Sequence, residues 1–259
     1  MRLSVVTVCM NARETIGEAL ASIHGQSYRD VEHIVIDGAS RDGTVEVLQA
    51  HRAGIAHLVS EPDEGLYFAM NKGIALATGE FLGFLNADDI YADAEVLHKV
   101  ANVLQAGKAD AVYGDLVYVR QSDPDVAVRY WKSRPYEPGL IERGWMPAHP
   151  TLFVRTAILK KLGGFDTRYR YQSDYELMVR LFLKERISAA YIPEVLVHMR
   201  TGGHTNRSLR NIVRGNLEAY RACRENGVKV SPLFVLQKMA SRLPQFFRRP
   251  PILSHPKAR

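Results

Sequence analysis

The sequence predicts an α/β fold, a mostly parallel sheet with helices packed on its faces. Three observations predict it. Apolar, β-branched runs alternate with amphipathic segments from residue 3 to about residue 119. The connections between them are short and carry glycine, asparagine or aspartate. The apolar runs are nearly unbroken, as strands covered on both faces require.

The elements follow in chain order. "LSVVTVC" (3–9) reads as a buried strand, and "NARETIGEALASIHGQ" (11–26) as a helix with Ile16, Leu20 and Ile23 on one face. "VEHIVIDG" (31–38) is a second strand and "DGTVEVLQAHRAG" (42–54) a second helix. "IAHLVSEPD" (55–63) is a third strand with its loop. "GLYFAMNKGIALATG" (65–79) is a third helix, closed by Gly79. "EFLGFLNADD" (80–89) is a fourth strand, "DAEVLHKVANVLQAGKA" (93–109) a fourth helix, and "DAVYGDLVYV" (110–119) opens another strand. Right-handed crossovers put the loops that follow the strands on one edge. Asn11, Asp37, the Glu61–Gly65 loop and Asp88–Asp89 are therefore expected to converge.

Beyond residue 120 the pattern loosens. "SDPD" (122–125) reads as a turn, and 130–150, rich in Pro, Gly and aromatics, as mostly irregular. "TLFVRTAIL" reads as a strand entering a helix. A further helix starts near Ser173, with Glu176 three residues on as a capping box. "SAAYIPEVLVHMR" is a strand. Residues 207–227 form a helix with Leu209, Ile212, Val213, Leu217 and Tyr220 as its apolar side.

Composition narrows the function. The chain has 259 residues and is 46% hydrophobic, enough for a full core. Its net charge of +6 is uneven. Seven of its 34 basic residues lie between Asn226 and Arg259, a stretch without acids, which leaves 27 basic against 28 acidic groups before it. The basicity belongs to a tail, which suggests an anionic partner. No nucleic-acid partner is expected, because the body lacks a basic surface on charge count. Two distant cysteines make no disulfide framework and indicate a reducing compartment. No secretory signal or spanning segment is visible, so a cytoplasmic protein is expected.

The motifs narrow it further. Neither G-x-G-x-x-G after the first strand nor G-x-x-x-x-G-K-[ST] is present. Two adjacent carboxylates end "LNADD"; a hard divalent cation would relieve their repulsion, although a solvated turn capping the next helix reads equally well. Gly38 and Gly43 permit a tight turn after Asp37, and Ser40 or Asp42 suits the cap of the second helix.

The stretches "VVTVCMNARETIGEALASIHGQSYRDVEHIVIDGASRDGT", "SEPDEGLYFAMNKGIALATGEFLGFLNADD" and "FDTRYRYQSDYELMVRL" together resemble family 2 glycosyltransferases of the GT-A fold, over residues 3 to about 200. The branch resembled is that of bacterial enzymes of surface polysaccharide or glycolipid assembly. The resemblance implies an inverting sugar transfer from a UDP-, GDP- or dTDP-linked donor to a hydroxyl of a glycan or glycolipid, with Mg²⁺ or Mn²⁺. It implies a nucleotide-sugar half over 1–119, an acceptor and catalytic half over 120–205, and a C-terminal helix with a basic amphipathic tail over 206–259. Asp37 would hold the base, with Asn11 and Arg13 walling that pocket. Asp63, Asn71 and Lys72 would flank the ribose and diphosphate, and Asp88 the ribose and ion. Asn86 replaces the first aspartate of the family's aspartate-any-aspartate signature, so Asp88 or Asp89 is the expected metal ligand. Asp174 would be the general base. His149 and Trp145 are acceptor-side candidates, and Glu176 is a neighbouring acid of the same kind. His204 is a further metal candidate.

The tail from 233 to 249 mixes apolar Leu233, Phe234, Leu236 and Met239 with Lys238 and Arg242. That suits an interfacial helix on the anionic inner face of the membrane. It suits equally a helix packed on the body, or on a second subunit in a homo-oligomer. The rival functions are a nucleotidyltransferase, or other sugar-nucleotide-dependent transferase, and a non-catalytic sugar-binding or scaffold protein.

Overall fold

Strand β1 (Leu3–Cys9) is buried along its whole length, because it lies between two parallel neighbours, β2 (Val31–Asp37) and β4 (Phe81–Phe84). Alternate side chains meet opposite layers, as the two-residue period of a strand requires. Val6 and Val8 join Ile34 and Ile36 against Met70 and Ile74 of α3 (Leu66–Leu76). On the other face, Cys9 and Val35 pack on Ile16 and Leu20 of α1 (Ile16–His24), and Leu3 and Val5 meet Ile23. Gly73 of α3 faces Val6 so closely that a Cβ would stand 2.3 Å from its methyl carbon.

The computed structural model describes residues 1–202, 209–242 and 245, apart from the side chains of 209 and 210. Its nine-stranded sheet has the order β3 (His57–Ser60), β2, β1, β4, β8 (Phe153–Arg155), β6 (Ala111–Arg120), β9 (Ala189–Arg200), β5 (Asp89–Tyr91), and β7 (Asp123–Trp131) pairs with β6. Strands β1, β2, β3, β4, β6 and β9 share one direction; β5, β7 and β8 oppose them. Helices α2 (Thr44–Ala50) and α4 (Val96–Ala106) complete the first half. α5 (Thr156–Lys161), α6 (Ser173–Val179), α7 (Leu209–Glu225) and α8 (Phe234–Ala240) belong to the second. Both cysteines are free and buried. Among the described residues no helix is long and apolar enough to cross a membrane.

Several elements depart from expectation. The run 80–89 is not one strand: β4 stops at Phe84, and Asp89 begins β5, which pairs antiparallel with β9. The "SDPD" segment is not simply a turn. The chain reverses at 121–122, and Asp123 already belongs to β7. Strand β7 pairs with β6 off the main path of the sheet, and such an edge tolerates Pro124. The capping box is not formed. The Ser173 hydroxyl donates to the Asp166 carbonyl at 2.8 Å, while Glu176, buried, pairs with Arg180 at 2.6 Å. A buried carboxylate gains more from a guanidinium than from one amide.

The C-terminal helices depart most. Val213 and Leu217 are more than half exposed, and α7 turns Asn216, Ala219, Ala222 and Cys223 inward instead. Small residues let α7 approach α6 closely. On α8 the expected polarity is inverted: Lys238 is fully buried with Phe234, while Leu233, Leu236 and Met239 face out. Leu243, Phe246, Phe247, Arg248 and Arg249 lie outside the described residues. Ala219, Ala222, Cys223 and Phe234 belong to the same apolar cluster as Tyr175 and Met178, so the extension shares the main core.

One carboxylate ties α7 to the start of α6. Glu218 accepts the backbone amides of Tyr171 at 2.7 Å, Gln172 at 3.1 Å and Arg170 at 3.3 Å. Hydrogen bonds to a charged acceptor contribute about 1.5–3 kcal/mol each at best, less where water can replace them. Glu218→Ala is expected to lower the melting temperature by roughly 3–8 °C for a loss of about 2 kcal/mol, with Glu218→Gln intermediate. Calorimetry checks this, and an unchanged melting temperature in the alanine variant contradicts it.

Candidate active site

The site starts where β1, β2 and β4 end together. Asp37 stands opposite Cys9 in the β1–β2 register, the Gly38 amide bonds to the Cys9 carbonyl, and the Leu85 amide to that of Val6. Asp37 is fully buried. Its carboxylate accepts the Ser40 amide at 3.0 Å, the Ser40 hydroxyl at 2.5 Å and the Ser60 hydroxyl at 2.6 Å. Direct contact with a ligand therefore requires one serine to give way. Asn11, at φ 52°, accepts the Arg41 amide at 3.0 Å through its side chain. Arg13 lies over Gly43, whose φ of 99° leaves no room for a side chain. Asp42, rather than Ser40, receives the first amide of α2, from Thr44 at 3.0 Å.

Beside this rim, Lys72 bridges Glu61 and Asp63, each at 2.6 Å. Asn71 is not available there. Its side-chain amide is spent on the backbone of Phe165, donating at 2.9 Å and accepting at 2.8 Å. It joins α3 to the segment that leads into α6.

Asp88 and Asp89 follow β4 as expected. Burial, followed by the neighbouring Asp88 carboxylate, pushes the Asp89 carboxyl well above the usual range. Burial also raises Asp88, opposed by its own backbone and by Arg200. Arg200, almost fully buried at the end of β9, donates to the Asp88 carbonyl at 3.3 Å and pairs with Glu18 at 2.5 Å. Asp89 Oδ2 accepts from the Asn86 side chain at 3.1 Å, whereas Asp89 Oδ1 and Asn86 Oδ1 are buried with no donor. Orphaned oxygens beside paired carboxylates fit a hard divalent cation. Among the described residues no group of three or more His, Cys, Asp and Glu side chains could hold a metal. His204 lies outside the described residues.

The second half supplies Asp174, in the first turn of α6, whose carboxylate accepts the Tyr175 amide at 2.7 Å. Its surroundings are specific. His149 stacks on Phe84 at 5.5 Å and meets Phe165 edge-on at 5.6 Å. Burial lowers the His149 pKa, and the Asp174 charge opposes that. The Tyr67 hydroxyl is drawn to the amides of Asp174 and Ser173; burial and then the Asp174 charge raise its pKa. Buried Tyr118 feels Arg129, Arg242, Asp89 and Asp174 at once. Glu176 does not join them, since Arg180 and Asn226 occupy its oxygens.

Lys238 completes this centre from α8. Its ammonium donates to Gln172 Oε1 at 2.5 Å and lies 4.2 Å from the centre of the Tyr175 ring. Burial, and then Arg242, lower its pKa to about 7, while Asp174 raises it. Residues 172 and 175 flank Asp174, so α8 braces the turn that carries it. Trp145, half-buried, stacks on Tyr136 and lines a separate cavity with Met146.

Tyr67, Tyr118, Arg200 and Lys238 carried no recognisable signal in the sequence. An aromatic at helical or strand spacing reads as core, and a tail lysine reads as solvated. Only contact with acids far along the chain distinguishes them.

Comparisons with known proteins bear on the family and the fold. The family model described as "Glycosyl transferase family 2" matches residues 4–162. An uncharacterized glycosyltransferase of Mycobacterium tuberculosis is 30% identical over 190 residues, covering 70% of this chain and 69% of that protein. A PGL/p-HBAD biosynthesis glycosyltransferase of Mycobacterium bovis is 28% identical over 208 residues, 78% of each chain. Among solved structures, TarS 1–349 of S. aureus in complex with UDP-GlcNAc superposes with a TM-score of 0.67 at 18% identity, over 95% of this chain and 73% of that one. The mannosyltransferase PcManGT from Pyrobaculum calidifontis, in complex with GDP-Man and Mn²⁺, gives 0.63 at 22% identity, over 93% and 69%.

Proposed function

This chain belongs to glycosyl transferase family 2, and from that premise we propose an inverting, metal-assisted transfer with Asp174 as the general base. The chain is a transferase with a GT-A fold, and its reaction is sugar transfer from a nucleotide sugar. The proposal adds the stereochemistry, the residues and the acceptor, which is a hydroxyl of a glycan or glycolipid precursor of the bacterial surface.

The observation that carries it is the pair of buried oxygens without a donor, on Asp89 and Asn86 after β4, together with Asp174 opening α6 beyond the Asn71–Phe165 tie to α3. One acid follows β4 and the other opens α6, and a displacement at an anomeric carbon needs a group on each side. Asp174 takes the proton of the acceptor hydroxyl as its oxygen attacks. Attack opposite the leaving group inverts the anomeric centre. Lys238 holds the base in place through Gln172.

The donor diphosphate lies toward Asp88 and Asp89, and its nucleoside toward Asp37, Asn11 and Arg13. A UDP-, GDP- or dTDP-sugar fits the reading, and the complexes of TarS with UDP-GlcNAc and of PcManGT with GDP-Man support that donor class. Asp88, Asp89 and Asn86 would hold a Mg²⁺ or Mn²⁺ ion, which neutralises the departing diphosphate when bound. The Mn²⁺ of the PcManGT complex supports that role. Asp63 and Lys72 border the same rim.

The outward side of α8 supports a peripheral membrane contact. Leu236 is 63% exposed, Leu233 58% and Met239 49%. Such residues suit the boundary of an anionic inner leaflet, where a glycolipid acceptor would sit. A cytoplasmic enzyme resting on the inner face of the membrane follows from this reading.

Asp174→Asn is expected to cut transfer by roughly 10²–10⁴-fold while donor affinity stays within a few-fold; normal turnover would overturn the base assignment. Asp89→Ala and Asp88→Asn should each weaken donor binding measured by calorimetry with Mn²⁺. Donor binding that is the same with and without EDTA in the unaltered protein excludes the ion. Leu236→Ser combined with Met239→Ser should reduce co-sedimentation with phosphatidylglycerol vesicles, and an unchanged bound fraction eliminates the membrane contact.

A further inference from the structure

We propose that the cavity beneath α8 seats the acceptor by a phosphate group, so that the acceptor is a phosphorylated sugar or a sugar joined to lipid through phosphate. The inference rests on the transferase reading above and names its acceptor class.

The cavity has a volume of about 980 Å³ and lies between the end of β7, the 140–146 segment and α8. Lys132, Arg134, Arg143 and Arg242 line it, and no acidic side chain does. This is a local concentration, because residues 1–225 carry 27 basic and 28 acidic groups. Arg134 pairs with Glu137 at 2.9 Å. Lys132, Arg143 and Arg242 have no acid partner among the described residues. Unpaired cations gathered around one hollow repel each other, and an anion between them relieves the repulsion.

The wall is built rather than casual. Asp115, fully buried, accepts the Ser133 amide at 2.7 Å and the hydroxyls of Tyr130 and Tyr191. That holds the turn out of β7 against the sheet. Ser133 is only 4% exposed, lines the cavity, and its hydroxyl has no partner. A buried hydroxyl without a protein partner in a cavity wall can donate to a ligand oxygen. Trp131 and Trp145 supply apolar walls of the kind a sugar ring or a lipid stem lies against.

Position links the cavity to the chemistry. Gly144, in the cavity wall, lies against Lys238 of α8, whose ammonium donates to Gln172, two residues before Asp174. The cavity therefore shares α8 with the turn that carries the base. The ligand class follows from charge. A carboxylate is satisfied by one bidentate guanidinium, whereas a phosphate or diphosphate offers more oxygens and more charge. Three unpaired cations match the second.

The chain contains two tryptophans, and both line this cavity. Intrinsic fluorescence therefore reports it apart from the donor rim. Glucose 1-phosphate, decyl phosphate, glucuronate and octyl glucoside are titrated into the full chain. A saturable change is expected with at least one phosphate, about tenfold tighter than with glucuronate or octyl glucoside. Arg143→Gln and Arg242→Gln should each weaken it by about tenfold. Preference for decyl phosphate assigns a lipid-linked acceptor, and preference for glucose 1-phosphate a soluble one. No saturable response to either phosphate, equal affinity for glucuronate or octyl glucoside, or unchanged affinity in both variants overturns the proposal. Hydrolysis of nucleotide sugars is followed in the same preparations. Hydrolysis without phosphate binding overturns this inference alone, whereas phosphate binding without hydrolysis of any donor overturns the functional reading.

Discussion

The geometry of this molecule depends on how residues 170–172 are held. They lead into α6 and set where Asp174 points. Glu218 of α7 collects three of their backbone amides, and Lys238 of α8 holds the Gln172 side chain. A short helix has little stability of its own. With these ties its first turn is anchored from two sides. The C-terminal helices therefore belong to the same packed body as α6, although they follow the residues that carry the family pattern. Their apolar contacts say the same, since Ala219, Ala222, Cys223 and Phe234 pack in the cluster that contains Tyr175.

The second constraint is electrostatic. Buried acids are costly, and the sheet carries Asp37, Asp89 and Asp115 fully buried. Each is treated differently. Two serines and backbone satisfy Asp37. Two tyrosines and an amide satisfy Asp115. Asp89 keeps one oxygen without a donor, and its neighbour Asp88 is raised by the same burial. The unsatisfied member of such a set is where a ligand is expected. Arg200 tempers the charge from behind while it reaches back to Glu18 on α1. Lys238 brings a cation from α8 to the turn that carries Asp174, through Gln172. The centre is a field between buried acids at the sheet's rim and cations brought by α8.

Much of this was legible in the primary structure, for reasons that can be named. β1 and β2 announce themselves because strands covered on both faces must be apolar at every position. The loops after them carry Asn11, Asp37 and Asp88, and parallel topology alone sends such loops to one edge. Asp174 was singled out by the family resemblance of its stretch, and it lies in the first turn of α6. Strand β7 was not, because at the sheet's edge its side chains are half-exposed and without a clear period. Asn71 read as a ligand contact, yet both ends of its amide bond Phe165; a side chain's partners 94 residues away leave no local trace. Glu176 read as a cap because spacing cannot show that Arg180 competes for it.

Local order and chemistry therefore came from the sequence by itself: which segments are strands, which are helices, and which acids end them. These depend on periodicity and on residues within a few positions of one another. Tertiary structure alone decided which side of α7 and α8 faces inward. Small residues on α7 and a lysine on α8 are buried there, against the hydropathy pattern, because close approach and a partner at Gln172 outweigh the transfer preference of the side chains. It alone also brought Tyr67, Tyr118 and Arg200 beside acids far away in the chain. Burial and charge act through space, and spacing along a polymer does not record distance across it.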